Sequence, residues 1–524
     1  MTHHSSAAVP DPAARSFVVM RDADTLATER ISRSAGRVDS DLVSNAQGVR
    51  IATTMVLAPD GLVKRAEIAV RLATEAPDAP PLQHVRLDFE PDAVLLRTDT
   101  SDAAPAQRIP LPGRALPFLN LSVATAEQIF VRARTLGGDS VQVPIFSVMG
   151  GKIAMAAVRR LDSGSAVLSL EGVELHAHVT PSGEIIDAEV SAQRVRFMSA
   201  ESSTDRADSS FATSSTKTPK PDYSAPSDAP YSAEDVRVTN ASAGVNLAGT
   251  LTMPHQAAGA RVPAVVMITG SGPQDRDEAT PAIPGWRPFW QIADALGRRG
   301  IAVLRMDDRG VGASDRGPAS ATSADFADDI RAALAYLRAR DDIEPSRLAL
   351  IGHSEGGMIA PMVAETDRAL HAIVLIAGPS RTGRAVSDQQ VRASLVARGL
   401  SGAQLESEIA TNDRLRDAQI DASPWLRFWF AHDPIETAKR VTQPVLIIQG
   451  ATDTQVSPDQ AEELAAAFRS GGNRQVTVRV LPEINHLMVH DPNGSFADYG
   501  KLASLSVSPV VLNEIGEWLE GQLR

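Results

Sequence analysis

The segment 199–231 reads SAESSTDRADSSFATSSTKTPKPDYSAPSDAPY and nearly lacks large aliphatic residues. Such a stretch cannot bury enough apolar surface to offset the entropy of ordering its backbone, so it reads as a linker. It cuts a chain of 524 residues, too long for one ordinary core, into two unlike halves. Residues 1–15 read as a disordered tail, 16–198 as one domain and 232–524 as another.

The first half carries the period of antiparallel strands. Val85, Leu87 and Phe89 alternate with Arg86 and Asp88, and Ile186, Ala188 and Val190 alternate with Asp187 and Glu189. That is the pattern of a strand with one buried face. Turn pairs at Asp60-Gly61, Gly150-Gly151, Ser163-Gly164 and Ser182-Gly183 separate such runs. One helix is predicted near Thr125 to Thr135. No repeat of about 40–50 residues is present, which disfavours a propeller and leaves a sandwich or a curved, partly closed sheet. Nothing in this half names its role.

The second half alternates short runs rich in Val, Ile and Leu with amphipathic stretches. Runs at 263–269, 301–306, 348–351, 372–376 and 444–448 suit strands covered on both faces. Stretches at 326–337 and 459–468 suit helices between them. This order predicts an α/β fold with a doubly wound, mostly parallel sheet. More than sixty residues of helical character separate the fourth run from the fifth, and segment 379–442 is expected to cap the site.

Chemistry enters at Gly352-His353-Ser354-Glu355-Gly356, directly after one strand run and directly before a predicted helix at 357–365. A serine on a tight strand-to-helix turn needs close backbone approach on both sides, which glycine at minus two and plus two allows. The helix N-terminus then aims free N–H groups at developing negative charge. A serine hydroxyl needs a base, and the base needs a carboxylate. Asp453 follows the strand at 444–448 and His486 follows the strand at 476–481, so both fall at carboxyl-end loops in the order Ser, acid, His. Asp459 is the rival acid, better explained as the opening charge of its helix. His490 and His353 are the rival bases; His353 flanks the nucleophile and is expected to point elsewhere. The backbone N–H groups of Glu355 and Ser271, the latter in the glycine loop 269–277, are the expected oxyanion donors. Asp308 and Arg309, after the strand at 301–306, read as a structural ion-paired turn. Trp286 and Trp290, with Trp425 and Trp429, could line an apolar acyl pocket or simply pack.

These residues resemble the α/β-hydrolase superfamily. The pieces that carry the resemblance are Gly-Ser-Gly-Pro-Gln-Asp-Arg-Asp at 270–277, Arg-Met-Asp-Asp-Arg-Gly-Val-Gly at 305–312, Gly-His-Ser-Glu-Gly-Gly at 352–357, Gly-Ala-Thr-Asp at 450–453 and Asn-His at 485–486. Together they look most like bacterial EstD-like acyl esterases, which pair a smaller N-terminal domain with a hydrolase domain and act on short acyl esters. Thr269 departs from the histidine many relatives carry before the oxyanion glycine; the backbone donors do not depend on it.

The expected activity is therefore serine ester hydrolysis of short to medium acyl esters through an acyl-enzyme, on a small-molecule substrate, without metal or organic cofactor. A serine peptidase of prolyl-oligopeptidase type and a catalytically silent scaffold are the alternatives. A net charge of −13 argues against a nucleic-acid partner. No apolar run is long enough for a membrane span. A homo-oligomer is left open. There are no cysteines, and the polar start has no charged-then-apolar leader; together these favour an exported or periplasmic protein, its signal removed, over a cytoplasmic one.

Overall fold

The computed structural model describes residues 14–21, 24–45, 47–97, 106–111, 113–148, 151–162, 164–170, 172–199, 221–255, 259–280, 283, 285–318, 320–397 and 399–524. The tail 1–13, most of the expected linker (200–220), and Gly150 and Ser163 of two expected turns lie outside them. Contacts divide the chain into two compact units, Met1–Thr216 with Ser407–Ala422, and Lys217–Glu406 with Ser423–Arg524.

In the first unit the described residues form one sheet of fifteen strands, not a sandwich. Neighbouring strands are antiparallel, except that the edge strand Leu116–Phe118 runs parallel to Ser140–Ser147. Alternate residues of nearly every strand enter a single core, including Phe17, Ile31, Met55, Leu87, Ile145 and Ala188. The helix Val123–Leu136 touches strands of both arms of the sheet, Arg37–Ser44 and Lys152–Arg160 among them, and is buried all round from Val123 to Phe130. The sheet therefore curls about this helix. A helix buried on every side must satisfy its N-terminal N–H groups inside the core. Glu29, fully buried on the second strand, does this: its carboxylate accepts from Val123 N–H at 2.5 Å and Ala124 N–H at 3.4 Å, and from the hydroxyls of Ser40 and Ser122. Glu127, within the helix, is held by Arg15 at 3.0 Å, by Arg33, and by Ile185 N–H at 2.8 Å. The alternation expected at 186–190 holds at Ala188 and Val190, which are buried, but fails at its start: Ile185 is buried and Ile186 is exposed. An irregularity in pairing with the preceding strand lies opposite this point, between His178 and Val179.

The second unit contains a mixed sheet with strands β1 (Tyr231–Asn240), β2 (Val245–Pro254), β3 (Val262–Ile268), β4 (Ala302–Met306), β5 (Ile343–His353), β6 (Ala372–Ile376), β7 (Val445–Gly450) and β8 (Val476–Leu481). Their spatial order is β1-β2-β4-β3-β5-β6-β7-β8, parallel from β4 onward. From residue 288 onward the helices are α1 (Pro288–Gly297), α2 (Ser323–Arg338), α3 (Glu355–Ala364), α4 (Gly383–Ala397), α5 (Gly402–Ala422), α6 (Pro424–Ala431), α7 (Pro434–Ala438), α8 (Asp459–Ser470) and α9 (Pro509–Leu523), all in this unit except most of α5. Leu348–His353 of β5 and all of β6 are buried because one core lies on each face: Val266, Leu350 and Ile373 point to one, Val265, Ile351 and Val374 to the other. Four helices, α4 to α7, occupy the stretch expected as a cap. Of these, Ser407–Ala422 groups with the first unit, where Leu415 packs on the β core. Tyr223, inside the expected linker, is also fastened: its hydroxyl donates to Asp275 at 3.1 Å, and its ring lies under Arg276.

Candidate active site

β5 ends at His353 and α3 begins at Glu355, leaving Ser354 alone on the turn with φ 53°. A non-glycine residue held at positive φ is strained, and only its surroundings keep it there. Here Ser354 N–H donates to Ile376 O at 2.9 Å and Ser354 O accepts from Gly357 N–H at 2.8 Å. A Cβ on Gly352 would overlap the Gly356 carbonyl, and one on Gly356 would overlap the Ile268 carbonyl, so the turn tolerates glycine alone at both places.

Asp453 and His486 meet from the loops after β7 and β8, with His486 Nδ1 2.8 Å from Asp453 Oδ2. Both are buried. Burial would raise the Asp453 carboxyl, but His486 and the donors around it outweigh that and hold it below the usual aspartate value. Those donors are Gln449 Nε2 at 2.9 Å, Gln455 N–H at 2.8 Å and Val456 N–H at 2.9 Å. Asn485 shapes the histidine loop by accepting from Leu487 N–H at 2.9 Å and donating to Asp491 at 3.0 Å. The rivals stand apart. Asp459 pairs with Arg381, and His490 is exposed with Glu483 at 3.5 Å.

Ser354, His486, Ser271 and Glu355 line one cavity of about 380 Å³, and Trp286, Trp425 and Trp429 line it too. Trp290 does not: it stands under Arg287, whose guanidinium stacks over its ring. In the glycine loop, Gly270 N–H is taken by Glu278 Oε1 at 2.7 Å. Ser271 N–H has no acceptor among the described residues.

Several residues of the site carried no sequence signal. Glu355 was expected to contribute only its N–H; its buried carboxylate also accepts from Ser323 Oγ at 2.6 Å and Trp425 Nε1 at 2.9 Å, tying α6 to the serine turn. Glu278 was not singled out at all. His353 does not point away from the site: its ring touches Glu278 and the backbone of His486. Asp308 and Arg309, read as an ion-paired turn, do not pair with each other. Asp308 accepts from Thr269 Oγ1 at 2.7 Å and Gln274 N–H at 2.9 Å, while Arg309 pairs with Asp329 at 2.6 Å.

The strand order, with the serine turn between β5 and α3 and loops carrying the acid and histidine after β7 and β8, is that of the α/β-hydrolase fold. The family described as "Serine aminopeptidase, S33" matches residues 287–493. Esterase EstD of Thermotoga maritima is 29% identical over 308 residues, which are 57% of this chain and 69% of that protein. An uncharacterized protein of Mycobacterium tuberculosis is 30% identical over 181 residues, 34% of this chain and 51% of that one. Among solved structures, an esterase of Pyrococcus furiosus superposes with a TM-score of 0.39 at 17% identity, covering 56% of this chain and 92% of its own. The chain is thus a hydrolase similar to esterases.

Proposed function

We propose that the second unit hydrolyses carboxylic esters of small, uncharged substrates through an acyl-enzyme on Ser354. The observation that carries this is the buried Asp453–His486 pair opening onto the same cavity as the strained Ser354. In this reading Ser354 Oγ attacks the ester carbonyl carbon while His486 Nε2 takes its proton. The N–H groups of Ser271 and Glu355 receive the developing oxyanion. The C–O bond to the alcohol breaks, and the alcohol leaves with the proton from His486. Water, deprotonated by the same nitrogen, then attacks the acyl carbon and releases the acid and Ser354. Asp453 keeps the tautomer with the proton on Nδ1.

The preference for uncharged substrates follows from the lining. Among the described residues no lysine or arginine lines the cavity; of its two glutamates, Glu355 is bound to Ser323 and Trp425, and Glu278 to Gly270 and His353 through Oε1. Glu278 Oε2 has no hydrogen-bond partner among the described residues, but the carboxylate already faces the His353 ring. The rings of Trp425 and Trp429 stack at 5.9 Å and offer an apolar wall for short to medium acyl chains.

The matching family's description favours a second reading, release of an N-terminal amino acid. A p-nitrophenyl ester series from acetate to laurate, run beside aminoacyl p-nitroanilides on wild type and Ser354→Ala, separates the two. Esters should turn over, and Ser354→Ala should lose roughly a thousandfold or more of kcat/KM. Cleavage of anilides alone would replace the esterase by the peptidase; no turnover of either would remove both.

A further inference from the structure

Behind the serine lies a buried pair that the proposed reaction does not use. Glu278 is 1% exposed and sits at φ 61°, a backbone conformation costly for a residue with a side chain. Its neighbours pin it there. Arg276 is bound to Asp307 at 2.8 Å, Asp277 is paired with Arg305 and Arg287, and Glu278 N–H donates to Asp275 O at 2.8 Å. Glu278 Oε1 receives Gly270 N–H at 2.7 Å and faces His353 Nδ1 at 2.9 Å. On the far side of that ring, His353 Nε2 lies 2.9 Å from His486 O.

A carbonyl only accepts, so His353 Nε2 carries a hydrogen. Nδ1 faces a carboxylate oxygen that already accepts one N–H and can only accept. The arrangement is therefore an imidazolium against a carboxylate. Burial works against a charged His353, but Glu278 and the His486 carbonyl outweigh it and favour the protonated ring. Around the ring stand Glu278, the His486 ring with centroids 4.9 Å away and the edge of Trp286 at 6.1 Å, with the Asp453 carboxylate also favouring the charged ring. The missing Gly270 Cβ would lie 3.3 Å from both Glu278 Oε1 and Ser354 Cβ, so the carboxylate stands close behind the serine. Left bare, it would repel an oxyanion forming there; the imidazolium cancels it.

We propose that Glu278 and His353 form a charge-balanced brace that positions the catalytic loops, holding the oxyanion loop through Gly270 and the base through the His486 carbonyl. They are positioning residues, and the assignment rests on the serine-hydrolase reading above. Because both bonds fall on Oε1, Glu278→Gln can keep them while it removes the charge, at the cost of placing an amide NH2 where the buried Oε2 has no partner.

The test uses the full chain and two readouts, ester kinetics and the rate of covalent labelling of Ser354 by a fluorophosphonate. Glu278→Gln should lower kcat roughly 10- to 100-fold, with KM within about threefold of wild type, slow labelling in parallel, and shift the melting midpoint by only a few degrees. His353→Gln, which keeps a donor for His486 O but strands the carboxylate, should lose at least as much. The double variant, again balanced, should regain activity over His353→Gln alone. Wild-type labelling rates in Glu278→Gln, a loss confined to KM, or strict additivity of the two changes would overturn the brace. Nitrogen-15 NMR of wild type should find both His353 ring nitrogens protonated at neutral pH; a single proton on Nε2 overturns the charge assignment even if a variant fails to fold. Absence of Ser354 labelling in wild type would instead sink the serine-hydrolase reading itself.

Discussion

The two units bury carboxylates for different ends. In the first, Glu29 reaches into the core and every bond it makes goes to the start of one helix or to a neighbouring hydroxyl. Glu127 is likewise surrounded by Arg15, Arg33 and a backbone N–H. These acids fasten a helix inside a curled sheet. In the second, buried Asp453, Glu278 and Glu355 gather at one end of the sheet, around a serine and a glutamate held at positive φ. Both units bear the desolvation of their acids, but only the second joins it to backbone strain beside an open cavity. The difference teaches where a substitution should register: as stability in the first unit, as rate in the second.

Asp453→Asn is the hardest test of that division. It keeps the shape but no longer holds His486 in the productive tautomer, and kcat should fall by about 10⁴ while the melting midpoint changes modestly. A large loss of stability with little loss of rate per folded molecule would break the comparison.

Glu29→Ala should do the reverse. Removing it strands the Val123 and Ala124 N–H groups inside the core, at a cost of about 3 kcal/mol in denaturant unfolding, with ester kcat per folded molecule unchanged. A collapsed kcat with intact stability would refute the assignment.

The pH dependence sharpens the contrast, because the two acids shift in opposite directions. Burial raises Glu29 above its ordinary value, and its hydrogen bonds only partly offset this. Its contribution to stability is therefore full below the unfolded value and fades as pH rises through the folded one. Asp453 is lowered, so its contribution is present above the unfolded value, about 4, and is lost as pH falls through the folded one. Denaturant titrations between about pH 3 and 7 should show Glu29→Gln flattening the loss on the alkaline side and Asp453→Asn flattening the loss on the acid side; matching slopes for both would count against these shifts.

The smallest effect expected is that of Trp425→Phe. It keeps a ring in the wall but removes the indole N–H that reaches Glu355. KM for longer acyl esters should rise by a few-fold, read from the same p-nitrophenyl series, whereas no change at any chain length would remove Trp425 from the pocket.

Much of this was legible in the chain. The alternation of short aliphatic runs with amphipathic stretches announced the parallel part of the second sheet, since a buried parallel strand and the helix covering it leave separate periodicities, whereas the antiparallel strands β1 and β2 were not read. The glycines flanking Ser354 marked the tight turn, because a Cβ at either place meets a carbonyl. Less legible was whatever depended on pairing at a distance. Ile185 rather than Ile186 turns inward because of an irregularity against the neighbouring strand, which no local pattern records. Trp290 and Trp286 are close neighbours in sequence, yet only Trp286 lines the cavity.

By itself the sequence determined which side chains could do chemistry and in what order they come, because those depend on residue type and on local backbone demands. Tertiary structure alone decided that fifteen strands curl about one helix instead of splitting into two layers. It also decided that His353 lies between Glu278 and the His486 backbone. The histidine at 353 is separated by 75 residues from one partner and by 133 from the other. Nothing in a local pattern reports a hydrogen bond of that span; only the packing of the loops against one another brings donor and acceptor within 3 Å.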